Sequence, residues 1–398
     1  MINSKNSFNT IYFFILMVGA GQSIVFAIFP PLARDLTITE FQTGLIISSA
    51  ALISFLSSTF WGRKVDSSGS KRVLITGVIG YALFNLLFAA ILWYALLRHL
   101  NVLVTITLLL ITRCLFAIFS AAIMPAAQTY IINHTTLNQR PSKMAIVGMM
   151  FGLGMILGPA IASIIIPWGI LIPLILSSIV MLLPLTIAIK SISPNRYSDL
   201  TTKPQTNKLN LFDKRLRTSI VLMSIAFIVF SSTQQTIAFF IQDNHQISTI
   251  ATAKWVSIAF TVSAISSVIN QGIIIQRWKP SANTMINLGI MALLLTLILL
   301  FISSNIYMIL IAFAFFGIAN GFIYPGIISH ASQRCEANIQ GQVTAILQAA
   351  MSLGFIAGPL IGSGLYPYLH NQLYLMLLGI LVICILYISI NNHRIKQQ

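Results

Sequence analysis

A chain of 398 residues that is 57% hydrophobic and 8% charged has too little polar surface to cover a soluble globule, so lipid must be its solvent. Its formal charge of +16 suggests nucleic acid until the 23 Lys and Arg are sorted by position, when all but Arg113 prove to lie in or beside the connections between apolar runs. A phosphate-binding Gly-Lys-Ser/Thr loop, a convergent pair of acids and a metal-ligand cluster are all missing from the sequence, so an enzyme, an ATP-driven pump and a metal centre find no support.

Crossing a ~30 Å hydrocarbon core takes roughly 20 apolar residues, and twelve stretches qualify. In chain order they are 10–33, 42–61, 73–95, 102–131, 143–166, 168–190, 218–241, 254–276, 283–303, 305–332, 342–364 and 367–390. Backbone polar groups in lipid must be paired within the segment, so each is predicted to be a helix. The first runs on without a small-residue cleavage site and reads as a retained span, not a signal peptide. All five tryptophans, Trp61, Trp93, Trp168, Trp255 and Trp278, fall at predicted span ends, where indoles favour the headgroup region. Cys114, Cys335 and Cys384 show neither disulfide nor metal spacing.

The polar residues inside these spans come in sequence as follows. Gln22 lies in the first span and Asn85 in the third. Arg113 and Gln128 are in the fourth, and Gly148, Gly152, Gly154, Gly158 and Pro159 in the fifth. The stretch Ser191 to Arg217 holds Pro194, Pro204 and many basic residues, and reads as a linker (191–217) between halves 1–190 and 218–398. Beyond it come Gln234 and Gln235 in the seventh span, Asn270 and Gln271 in the eighth, Asn320 in the tenth, and Gln348, Gly354, Gly358, Pro359 and Gly362 in the eleventh. Glycines spaced four apart let helices approach closely, and Pro30, Pro31, Pro125, Pro159, Pro325 and Pro359 are expected to kink their helices.

Arg113 to Pro125 recurs 200 positions later as Phe313 to Pro325, and Gly154-Met-Ile-Leu-Gly158-Pro159 recurs at the same offset as Gly354-Phe-Ile-Ala-Gly358-Pro359. Two parallel halves of matched helices mark a secondary transporter whose substrate site is expected between them. Assigning alternate connections to one side puts 19 of the 23 basic residues there, which makes that side and both termini cytoplasmic. The expected fold is therefore an all-α integral membrane protein of twelve helices in two pseudo-symmetric six-helix bundles.

The motifs resemble the major facilitator superfamily, and within it the twelve-helix drug and proton antiporter branch. Gly62 to Arg72 is similar to the superfamily's loop after helix two, with Ser67 where a basic residue is usual. Arg113 matches the family's membrane-embedded arginine, with Phe116 and Ala117 in place of Gln and Gly. Gly148 to Ser163 resembles the Gly-Pro motif of exporters, and Ile28 to Leu32 the proline signature of helix one. The resemblance implies a cytoplasmic gate of Gly62, Asp66, Gly69, Lys71 and Arg72, with Asp66 meeting the start of the eleventh helix near Gln340 to Gln342. It implies export of a small organic molecule in exchange for protons across a bacterial cytoplasmic membrane, by a protein expected to be a monomer and to need no cofactor beyond an ion gradient.

Arg113 lies about 11 residues from its span end, roughly 16 Å deep at ~1.5 Å per residue, and a charge there is a functional candidate. A structural role, bonded to backbone carbonyls and to Gln22 or Asn85, is the alternative. None of the seven acids falls in the middle of a span, whereas carriers of cationic drugs resemble one another in having one there. Asp35 and Asp243, at span ends, are the nearest candidates for a proton carrier, and His330 could titrate near neutrality. The missing acid motivates a second reading, uptake or facilitated transport of an anionic or zwitterionic metabolite or iron-chelator with Arg113 as counter-ion. Gln22, Asn85, Gln128, Gln234, Gln235, Asn320 and Gln348 are the uncharged cavity candidates, with Phe26, Phe230, Tyr130 and Tyr324 as possible walls.

Overall fold

The computed structural model describes residues 4–98, 100–136, 139–192, 215–336 and 339–396. Its regular elements are all helical among those residues. The first half contributes α1 (Ser4–Asp35), α2 (Glu40–Ser68), α3 (Ser70–Arg98), α4 (Val102–Ser120), α5 (Ile123–Asn133), α6 (Arg140–Ile165), α7 (Ile172–Leu182) and α8 (Leu185–Ser191). The second contributes α9 (Arg217–His245), α10 (Thr249–Ile269), α11 (Ile275–Trp278), α12 (Ala282–Phe301), α13 (Ile306–Ser332), α14 (Gln340–Leu369) and α15 (Gln372–Lys396). Among the described residues eleven spans are long and apolar enough to cross a membrane, and Gln372–Tyr387 is a shorter apolar twelfth.

Hydropathy places the spans but not their ends or joints. The fourth predicted span is two helices, because Pro125 has no N–H to offer the Ala121 carbonyl and the chain turns at Ala121 and Ala122. The sixth is also two, joined at Leu183 and Pro184, and it starts after a 3₁₀ turn at Ile166–Trp168. Pro159, Pro325 and Pro359 instead lie within unbroken helices. The expected loop Gly62 to Arg72 is mostly helix: α2 continues through Asp66 to Ser68, and only Gly69 separates it from α3. Gly62 therefore belongs to a helix and makes no turn, whereas Gly69, at φ 84° and ψ 147°, occupies a backbone region that side chains strain to reach.

The chain divides into two compact units. The first comprises Met1–Thr201 with Ser248–Ser257, and the second Thr202–Ile247 with Ile258–Gln398. Most of the expected linker, 193–214, lies outside the described residues. Within the first unit α1 runs against α6, and within the second α9 runs against α14. The repeated glycines make both contacts. A Cβ on Gly154 would overlap the Leu16 carbonyl oxygen, and one on Gly158 would press on Ala20 and Ser23. In the second unit, Gly354 meets Phe227 and Gly358 meets Ser231 in the same manner. Hydroxyls reinforce the second seam, Ser231 Oγ donating to the Gly354 carbonyl at 2.7 Å and Ser232 Oγ to that of Gly358 at 2.8 Å. Gly148 and Gly152 do not share this role, since a Cβ on either meets nothing within 4 Å.

A second pair of contacts obeys the same repeat with different side chains. At the turn after α4, the Ala122 N–H bonds to the Phe119 carbonyl and not to that of Ile118. The freed Ile118 oxygen accepts from Trp61 Nε1 at 2.6 Å. Trp61 is thus buried against α4, with its N–H used inside the protein. In the second unit the matching carbonyl, Ile318, accepts from Asn270 Nδ2 at 3.1 Å. Asn270 opens a π-helical turn, Asn270–Ile274, which turns its amide toward α13. Losing the indole donor leaves the Ile118 carbonyl short of a partner, whereas Ile318 lies within the continuous α13 and would lose only a second hydrogen bond, so Trp61→Phe should cost about 1 to 2 kcal/mol and Asn270→Leu about 1 kcal/mol. Thermal unfolding in detergent should show both variants less stable than wild type, and Trp168→Phe, at a residue 74% exposed, unchanged.

Candidate functional site

Among the described residues of the first unit, Arg113 is the cation that is buried. Arg113 projects from α4 and is 5% exposed. Its guanidinium carbon lies over the rings of Phe116, 4.5 Å from the centroid, and Phe88, at 5.2 Å. Such contacts with ring faces stabilise a desolvated cation by about 2 kcal/mol, less than the several kcal/mol that burial costs it. Nε and Nη1 are both buried and neither has a hydrogen-bond acceptor. The expected structural partners are engaged elsewhere or make no bond. Asn85 Nδ2 donates to the Leu174 carbonyl at 3.1 Å, Ser177 Oγ at 3.1 Å and Ser178 Oγ at 2.8 Å, tying α3 to α7. Asn85 Oδ1 is buried and unpartnered. Gln22 and Gln128 are half-buried, and no hydrogen bond joins either to Arg113.

Helical spacing accounts for this grouping. Tyr81, Asn85 and Phe88 follow at i, i+4 and i+7, one face of α3, and Arg113 and Phe116 at i and i+3 face them from α4. The Tyr81 hydroxyl donates to the Met17 carbonyl at 3.1 Å, and its ring lies 4.8 Å from that of Phe116. Tyr81, Phe88 and the serines of α7 were not among the residues expected from sequence. The three-residue face of α3 was the available signal.

The second unit fills the matching positions with hydrocarbon. Phe313 stands where the repeat puts Arg113. Gly77 and Gly289 pack on Ile123 and Ile323, and counting from them Tyr81, Asn85 and Phe88 correspond to Leu293, Leu297 and Leu300, all fully buried. A run of buried polar groups in this unit sits instead in the middle of α9, where Ser231, Ser232, Thr233, Gln235 and Thr236 are fully buried. Both amide atoms of Gln235 and the hydroxyl of Thr233 lack partners. Gln234 and Asn320 are half-buried, and Gln348 is exposed with Oε1 3.5 Å from the Tyr324 hydroxyl.

Acids lie only at helix ends or in connections among the described residues. Glu40 pairs with Arg34 at 2.6 Å, Asp35 Oδ1 accepts from Thr249 Oγ1 at 2.7 Å, and Asp243 Oδ2 from the Tyr366 hydroxyl at 2.8 Å. Asp66 is exposed near the end of α2, without an ion pair or hydrogen bond among the described residues. Near it, Lys71 Nζ donates to the Ile189 carbonyl at 2.5 Å, a cation placed on the last turn of α8. Arg72 is exposed, and His330 Nδ1 lies 3.1 Å from Ser219 Oγ.

A family model described as Major Facilitator Superfamily matches residues 11–300 and 255–398. The chain belongs to the Major Facilitator Superfamily. It is therefore a multi-pass membrane transporter and not an enzyme, a conclusion that rests on the family and on the spans. Among curated relatives it is 26% identical to Multidrug resistance protein 2 of Bacillus subtilis (strain 168) over 405 residues, covering 96% of each chain. It is 23% identical over 398 residues to Quinolone resistance protein NorA of Staphylococcus aureus (strain MSSA476), covering 98% of this chain and 97% of that one. Among solved structures it resembles the nucleoside transporter NupG with a TM-score of 0.75 at 12% identity, covering 96% of this chain and 98% of that one. A bacterial homolog of the human lysosomal transporter Spinster gives 0.74, also at 12% identity, covering 96% and 95%. At such identities these two establish the superfamily's fold and leave the cargo open.

Proposed function

We propose that this superfamily member exports a small organic molecule from a bacterial cell in exchange for protons. The observation that carries this reading is the end-to-end similarity to two bacterial resistance proteins. The seam of Gly154 and Gly158 on α1, which belongs to the motif that resembles exporters, supports it. In this reading the protein sits in the cytoplasmic membrane as a monomer with both termini inside and works by alternating access, with Gln22 and Gln128 of the first unit and Gln234, Gln235, Asn320 and Gln348 of the second as candidate cargo contacts. The Gly69 turn, with Gly62, Asp66, Lys71 and Arg72 around it, would form the cytoplasmic gate. It binds no cofactor and draws only on the proton gradient. Inverted vesicles tested with a panel of fluorescent dyes should accumulate cargo when energised and lose it when an uncoupler is added. Accumulation that ignores the uncoupler would remove proton coupling from the proposal.

A second reading is favoured by the lack of an acid in the middle of the spans among the described residues and by Arg113, which has no acceptor for Nε and Nη1. It is uptake or facilitated transport of an anionic or zwitterionic metabolite. Right-side-out vesicles separate the two, since a carrier of this kind would load them without an outward proton exchange.

A further inference from the structure

We propose that the cargo carries a carboxylate, and that this group is recognised by the edge of the Arg113 guanidinium. The inference rests on the reading of the chain as a carrier of small organic molecules and adds the chemical class of its cargo.

Three observations converge on it. First, the ring faces of Phe88 and Phe116 are the contacts that hold Arg113, and such contacts use no N–H group. Nε and Nη1 are consequently buried donors without acceptors on a side chain 95% removed from solvent. A guanidinium presents its N–H groups as a planar fork whose natural complement is a carboxylate held by two parallel hydrogen bonds. Second, the described residues supply no such carboxylate: Asp35, Glu40, Asp66, Asp243 and Glu336, the acids among them, all lie at helix ends or in connections. Third, the neighbouring polar side chains bond other groups and none of them accepts from Arg113: the Tyr81 hydroxyl donates to the Met17 carbonyl, and Asn85 is anchored to α7 through its amide nitrogen, with Oδ1 unpartnered. The second unit carries out the same helix packing with Phe313, Leu293 and Leu297, so the fold does not require a cation at this place. Unpartnered Asn85 Oδ1, on the same face of α3, would accept from a donor on the same cargo. Nε and Nη1 are closed off from solvent in this structure, so the proposal requires the packing around Arg113 to part when cargo binds.

The test uses the purified full-length protein in detergent, with benzoate, its neutral isostere benzamide, chloride and tetraphenylphosphonium as probes. Benzoate should raise the unfolding temperature of wild type, while the other three at equal concentration should not. Arg113→Lys, which keeps the charge and loses the fork, should weaken benzoate at least tenfold, and Arg113→Gln should abolish its effect. Equal protection by benzamide or chloride, or a benzoate effect that survives in Arg113→Gln, would overturn the proposal. So would protection by tetraphenylphosphonium alone. The comparison of benzoate with benzamide needs no variant, so it decides the matter even if both substitutions unfold the protein. Energised export of a cationic dye without any benzoate effect would overturn this inference and keep the proposed export. Benzoate binding without export of any cargo would do the reverse.

Discussion

Gly154→Val is expected to yield no folded transporter. The glycine sits where α6 crosses α1, and its missing side chain is what lets the Leu16 carbonyl oxygen approach. The obstacle is backbone, which cannot swing aside as a side chain would, so a branched residue must drive the two helices apart. Overpacking of an ordinary core costs about 1 to 3 kcal/mol, and separating a whole helix pair adds the packing lost along the seam. Gly354→Val should fail in the same way against Phe227, whereas Gly152→Val, with nothing within 4 Å of its Cβ, should behave as wild type. Size-exclusion profiles and unfolding temperatures of the three variants in detergent provide the check. A monodisperse Gly154→Val protein of wild-type stability would mean that the seam is not as close as described.

Arg113→Met is expected to separate stability from activity. Methionine follows much of the arginine stem and lets the rings of Phe88 and Phe116 close on hydrocarbon, removing a cation with two donors that have no acceptor. Replacing buried charges by apolar residues of similar shape often stabilises by about 1 to 4 kcal/mol. The unfolding temperature should therefore rise, while transport in vesicles falls at least a hundredfold. Gains in stability at the expense of function are usual where a destabilising group is kept for its use. A fall in unfolding temperature would instead make Arg113 a structural residue.

The sequence was most legible where one physical rule acts alone. Apolar length located the spans, and the four-residue spacing of Gly154, Gly158, Gly354 and Gly358 marked the seams α1 to α6 and α9 to α14. That spacing also occurs at Gly148 and Gly152, where no helix approaches, because spacing reports which residues share a face and not what the face meets. Trp61 shows a second limit. Hydropathy ends near it, but helical bonding carries α2 on to Ser68, and the carbonyl that claims its indole is set free only by a turn in α4. The polar run Ser231 to Thr236 was read only through its glutamines. Ser231 and Thr236 hydroxyls bond back to the carbonyls of Phe227 and Ser232, so short polar side chains cost an apolar helix little and leave a weak trace in its hydropathy.

The Trp61 contact has an optical consequence. Trp93, Trp168 and Trp278 are each more than half exposed, while Trp61 is 8% exposed with its N–H engaged. An indole held in a dry, aromatic surrounding beside Phe60 and Phe119 is shielded from the solvent relaxation that shifts emission to the red. A protein that keeps Trp61 and carries phenylalanine at the other four positions would thus report, by its own fluorescence, whether α2 and α4 stay joined while the transporter works.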